Sequence, residues 1–193
     1  MSGNSDGTVF PPEFDQAVAN ADKAVFRPEL AVRDIPAPEG IAPYAKAWSS
    51  VVSPEARGGD HGTSRLVILF DPSEPEGWSG RFRAVCFAKA PLDQSMGEDP
   101  MLPRVAWSWL TDALDQRGAQ YHRAAGTAST IVSTGFGELH SDSVGAEIEM
   151  RASWSPLDDD LSSHLEAWSE FVCMLAGFPP TTEGVTALRA GRS

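Results

Sequence analysis

Lysine is scarce in this sequence: three of its 15 basic residues are Lys and twelve are Arg, set against 27 acidic side chains for a formal net charge of −12. A phosphate backbone is bound through basic side chains that displace its counterions. Without such a surplus, neither nucleic acid nor an anionic membrane surface is expected as a direct partner, and a basic protein fits the charge better. Cysteine is scarce too. Cys86 and Cys173 each sit inside an apolar run, Ala84-Val85-Cys86-Phe87 and Phe171-Val172-Cys173-Met174, which reads as two buried, reduced thiols of a cytosolic protein. No stretch reaches the ~18 apolar residues of a membrane span. The N-terminus lacks the basic-then-apolar order of a signal peptide, so the expected location is the cytoplasm.

Signatures of chemistry are missing as well. There is no phosphate loop with a terminal Lys-Ser/Thr, no G-x-S-x-G elbow and no H-E-x-x-H helix. Gly135-Phe136-Gly137 begins like a dinucleotide loop but has no third glycine. His61, His122, His140 and His164 are widely spaced and none stands at ligand distance from a cysteine, so no metal and no cofactor are expected. Asp158-Asp159-Asp160 lacks the glycine and glutamate that would complete a calcium loop. It reads as a solvated helix start, with acids at the positive end of the dipole.

What is present reads as one domain over 10–188, flanked by small polar tails at 1–9 and 189–193 that are expected to fray. Phe14, Val18, Ala21 and Val25 recur at helical spacing and predict a first helix over 12–26, stopped at Arg27-Pro28. Prolines 28, 36, 38 and 43 then impose an extended strap, with 30–35 an edge strand. A further strand is expected over 45–52. The run 65–70 is apolar on both faces and therefore interior. The segment 81–89 alternates and returns beside it, and 91–100 reads as an acidic connector. A helix over 102–117 follows, ended by Gly118. The order then recurs: strands at 127–136 and 145–154, and a helix over 161–176 ended by Gly177.

Pro91-Leu92-Asp93 and Pro156-Leu157-Asp158 close the two hairpins, and Ala106-Trp107-Ser108 and Ala167-Trp168-Ser169 lie in the two helices. The predicted fold is α+β: an antiparallel sheet of two ββα units with helices mainly on one face, preceded by an N-terminal helix and the proline-rich strap. Trp109, Trp154 and Trp168 fall on apolar faces and are expected in the core.

Few residues are candidates for a site. Asp60-His61 lies in a glycine-rich loop, where a carboxylate beside an imidazole can orient it for acid–base work. Trp78, in the turn Gly77-Trp78-Ser79-Gly80, either folds back on the core or offers a partner an aromatic anchor. Three readings follow. The first is a non-enzymatic protein-binding or regulatory module, with a homodimer as one form of that role. The second is a small-molecule binder or enzyme with a pocket between sheet and strap near His61 or His140. The third is an acidic mimic of nucleic acid.

Several motifs in a fixed order carry a family likeness. They are Arg27-Pro28-Glu29, Ile35-Pro36-Ala37-Pro38, Arg65-Leu66-Val67 with Asp71-Pro72, Gly77-Trp78-Ser79-Gly80 with Phe82-Arg83, Asp99-Pro100, Trp107-Ser108-Trp109-Leu110, Arg151-Ala152-Ser153-Trp154 and Gly177-Phe178-Pro179-Pro180. Together they resemble the actinobacterial domain-of-unknown-function family numbered 3000, over about 14–188. The resemblance implies a bacterial cytoplasmic origin and brings no activity, cofactor or catalytic residue with it.

Overall fold

The structure, a computed structural model, describes residues 10–53, 62–139 and 145–181. Helix α1 (Pro12–Ala21) comes first, then β1 (Leu30–Ile35), β2 (Tyr44–Val52), β3 (Thr63–Phe70) and β4 (Phe82–Leu92). A short α2 (Gln94–Gly97) and α3 (Leu102–Gln116) lead to β5 (Tyr121–Ser133), β6 (Gly145–Pro156) and α4 (Leu161–Leu175). The six strands form one sheet in the order β1-β2-β3-β4-β6-β5. Every neighbouring pair is antiparallel. The α+β class, the antiparallel sheet and the leading helix are thus as the sequence predicts.

Alternation decides which face is covered. Phe82, Ala84, Cys86, Ala88 and Ala90 of β4 join Ile148, Met150, Ala152 and Trp154 of β6 in the main core. The same core holds Leu102, Ala106, Leu110 and Leu114 of α3 and Leu161, Leu165, Trp168 and Phe171 of α4. Both long helices therefore lie on one face. On the other face Val67 and Leu69 of β3 meet Ala47 of β2 in a smaller cluster, against which Ile35, Ala37 and Trp78 pack. That two-sided burial is why β3 reads as continuously apolar.

Three boundaries depart from expectation. Helix α1 ends at Ala21, not at 26, and Val25 is 75% exposed instead of belonging to its stripe. Beyond Asp22 the backbone leaves to serve α4: Val25 N–H donates to Glu166 Oε1 (3.1 Å) and Arg27 N–H to Ser169 Oγ (2.8 Å). Strand β5 starts six residues before the expected 127 and ends at Ser133. A bulge between His122 and Ala125, with Arg123 at φ 50°, breaks the alternation there and hides the early part. The segment 91–100 is not a plain connector, since Pro91 and Leu92 finish β4 and 94–97 turn helical.

The paired motifs behave differently in helices and strands. Ala106, Leu110 and Leu114 are buried in α3, as Ala167, Phe171 and Leu175 are in α4. Pro91, by contrast, is exposed while Pro156 is buried, so those two tripeptides do not share an orientation. Trp107 lies across β5 at Gly126, where an added Cβ would come within 2.8 Å of its ring and 2.5 Å of the Arg151 carbonyl. Only glycine admits that approach. Gly126→Ala is expected to destabilise by about 1–3 kcal/mol, as overpacking does, read as a lower urea midpoint.

Candidate functional site

Helices α3 and α4 pack side by side on the sheet, and their flanking segments build a groove. At the end of α4, Gly177 takes φ 86° and turns the chain, so that Phe178, Pro179 and Pro180 run back beside α3. Proline cannot continue a helix, which is why the strip stays extended. Trp109 of α3 was expected in the core. It is half-buried instead, on the flank of the stripe formed by Leu102, Ala106, Leu110 and Leu114.

Two adjoining clefts share Trp109, Met174 and Gly177 as walls. One, of about 360 Å³, continues toward Leu92, Asp93, Met96 and Leu102. The other, of about 400 Å³, continues toward Asp112, Gln116, Phe178 and Pro179. The walls are an indole, two thioethers and prolines. Asp93 and Asp112 are exposed at the margins.

A buried ionic cluster fixes the strip. Glu170 of α4 is 2% exposed and accepts from Arg27 Nη1 (3.0 Å), Arg117 Nη2 (2.9 Å) and the Thr181 N–H (2.7 Å). Arg27 also donates to the Pro179 carbonyl (2.7 Å) and pairs with Glu29. Burial by itself would raise the Glu170 carboxyl. The Thr181 N–H, the Arg117 hydrogen bond and the Arg27 charge outweigh it and hold the group below its ordinary range. The motifs Arg27-Pro28-Glu29 and Gly177-Phe178-Pro179-Pro180 thus meet at the Arg27 guanidinium, beside the Glu170 carboxylate.

His164 is fully buried on α4, with Nδ1 accepting from Trp154 Nε1 (3.0 Å). Its Nε2 has no hydrogen-bond partner among the described residues. Burial pushes its pKa down to about 4, against weaker opposing effects of Asp160 and the Gln120 backbone. The unfolded imidazole, near pH 6.5, therefore takes up a proton that the folded one refuses. Stability is full above about pH 6.5 and falls as pH drops toward about 4, by about 3 kcal/mol in all. Urea midpoints across that window check this, and His164→Gln should flatten the slope.

Cys86 and Cys173 are free and buried, and burial pushes both thiols up to about 12. Labelling by a thiol reagent should be slow in the native protein and immediate in denaturant.

Of the residues singled out from sequence, Asp60, His61 and His140 lie outside the described residues, as do the two tails and the 182–188 part of the domain. Trp78 is half-buried against the cluster of Ala47, Val67 and Leu69. The strap borders a cleft of about 500 Å³ with Phe10, Ile35, Pro36 and Tyr44 among its walls. Among the described residues no group of three or more His, Cys, Asp or Glu is placed to hold a metal ion.

The class these features define is an α+β protein with one helical layer on a six-stranded antiparallel sheet and an apolar groove beside the helices. The family model described as "Protein of unknown function (DUF3000)" matches residues 10–186, and the chain belongs to that family. No curated protein and no solved structure matches it.

Proposed function

We propose that the chain is a non-enzymatic protein-binding module of the cytoplasm. It takes an apolar, basic-flanked segment of another protein into the groove at Trp109. The observation that carries this reading is the pair of clefts sharing Trp109 and Met174, with Asp93 and Asp112 at their margins. A tryptophan in a pocket is the usual centre of binding energy at an interface. Methionine adapts its shape to varied apolar side chains. The margin carboxylates and the net charge of −12 favour Lys or Arg on either side of the anchor. Among the described residues no helix is long and apolar enough to cross a membrane, which accords with a partner met in the aqueous phase.

A displayed peptide library panned on the immobilised protein tests this. Enriched sequences should combine a large apolar residue with flanking Lys or Arg. Trp109→Ala should weaken the best of them by about 2 kcal/mol, roughly thirtyfold. Asp112→Asn should mainly slow association and blunt its salt dependence. Absence of any enriched peptide, or full binding by Trp109→Ala, would overturn the reading. Markedly tighter binding after deletion of residues 182–193 would make the chain's own C-terminal segment the occupant instead.

A further inference from the structure

The two edges of the sheet meet solvent differently. Strand β1 is six residues long, carries Arg33 and Asp34, and lies between Pro28 and Pro36. Shortness, charge and proline are the means by which natural edges avoid pairing with another chain. Strand β5 has none of these from Ala124 onward. It is 13 residues long, and its one strand neighbour among the described residues is β6. Residues 124–137 form the longest run without a charged side chain in a sequence whose net charge is −12. Exposed apolar side chains gather at its end: Ile131 at 40%, Val132 at 44%, and Phe136 at 81%, the most exposed large hydrophobic among the described residues.

We propose that β5 is a dimerisation edge, pairing antiparallel with β5 of a second copy about a two-fold axis at Ala128. The two sheets then run on as one. The occupant follows from self-complementarity, since a two-fold antiparallel pairing sets each residue opposite a fixed partner position. Centred on Ala128, it places Ala124 opposite Val132, Ala125 opposite Ile131, Gly126 opposite Thr130 and Thr127 opposite Ser129. Each branched apolar side chain meets a small one, hydroxyls meet hydroxyls, and no like charges face each other. Backbone groups on the outer edge gain partners, and the contact is isologous, as closed dimers require. This assembly uses a different surface from the Trp109 groove and stands or falls apart from it.

Sedimentation of the full chain at micromolar concentration tests it, with far-UV circular dichroism as the control for folding. The native sequence should sediment as a dimer. Thr127 and Ser129 are both exposed, so charge there is tolerated by the fold. Thr127→Lys with Ser129→Lys sets like charges opposite each other twice and should give a folded monomer. Thr127→Glu with Ser129→Lys sets opposite charges against each other and should keep the dimer. In the native sequence, amide exchange over 124–133 should slow as protein concentration rises. A monomeric native chain, a dimer indifferent to the lysine pair, a monomer from the opposite-charge pair, or exchange independent of concentration would each overturn the proposal.

Discussion

Glu170→Ala is expected to cost about 3–5 kcal/mol, the range for breaking a buried ion pair from one side. Glu170 is 2% exposed and the Arg27 side chain 10%. Removing the carboxylate takes away the group that Arg27 and Arg117 share, and leaves the Thr181 N–H without its acceptor. The remaining counter-charges are Glu29 for Arg27 and Glu166, at 3.7 Å, for Arg117. Glu170→Gln keeps the shape and one acceptor, so its cost should be smaller. The measurement is the urea midpoint at neutral pH, with the denaturant slope unchanged. A loss under about 1 kcal/mol would show the cluster behaving as an exposed salt bridge. The pH dependence has a definite sign. A carboxyl held below its unfolded value adds stability above the unfolded range and loses it as pH falls through the folded value. Acid should therefore act in two stages, first through His164 and then through Glu170.

Leu114→Ala and Leu175→Ala should each cost about 2–5 kcal/mol. Leu114 is 0% and Leu175 3% exposed, and both belong to the main core. Truncation removes apolar contact and leaves a cavity that neighbouring helices on a rigid sheet fill poorly. Because both leucines are buried in the same core, losses within the same range are expected at both. Thermal or urea unfolding of the single variants reads this directly. A loss under about 1 kcal/mol at either position would mean that its helix is free to close the gap.

Helices α3 and α4 were legible to within a residue, because Leu102, Ala106, Leu110 and Leu114 state a period that their glycine stops bound. The end of α1 was not. Its decisive partners, Glu166 and Ser169, lie 141 and 142 residues away in the chain. Local pattern favoured continuing through Val25, and hydrogen bonds to α4 overrode it. The start of β5 was masked by the bulge at Arg123, where alternation fails.

The ionic cluster was illegible for the same reason as the end of α1, with 143 residues between Arg27 and Glu170. The motif around each partner was visible, but not that they converge. The groove draws on 91–96, 102–116 and 174–180. Helical spacing alone could not tell that Trp109 flanks the buried stripe instead of belonging to it.

The most direct test of the groove uses the methionines. Met96 and Met174 line it, whereas Met150 is buried in the main core at 0% exposure. Protein carrying carbon-13 methyl methionine is titrated with the best selected peptide and followed by NMR. The methyl signals of Met96 and Met174 should move together and saturate, Met150 should stay in place, and Trp109→Ala should push saturation to roughly thirtyfold higher peptide concentration. A peptide that binds while leaving both groove methyls unmoved would contradict the assignment of the Trp109 groove as the recognition site.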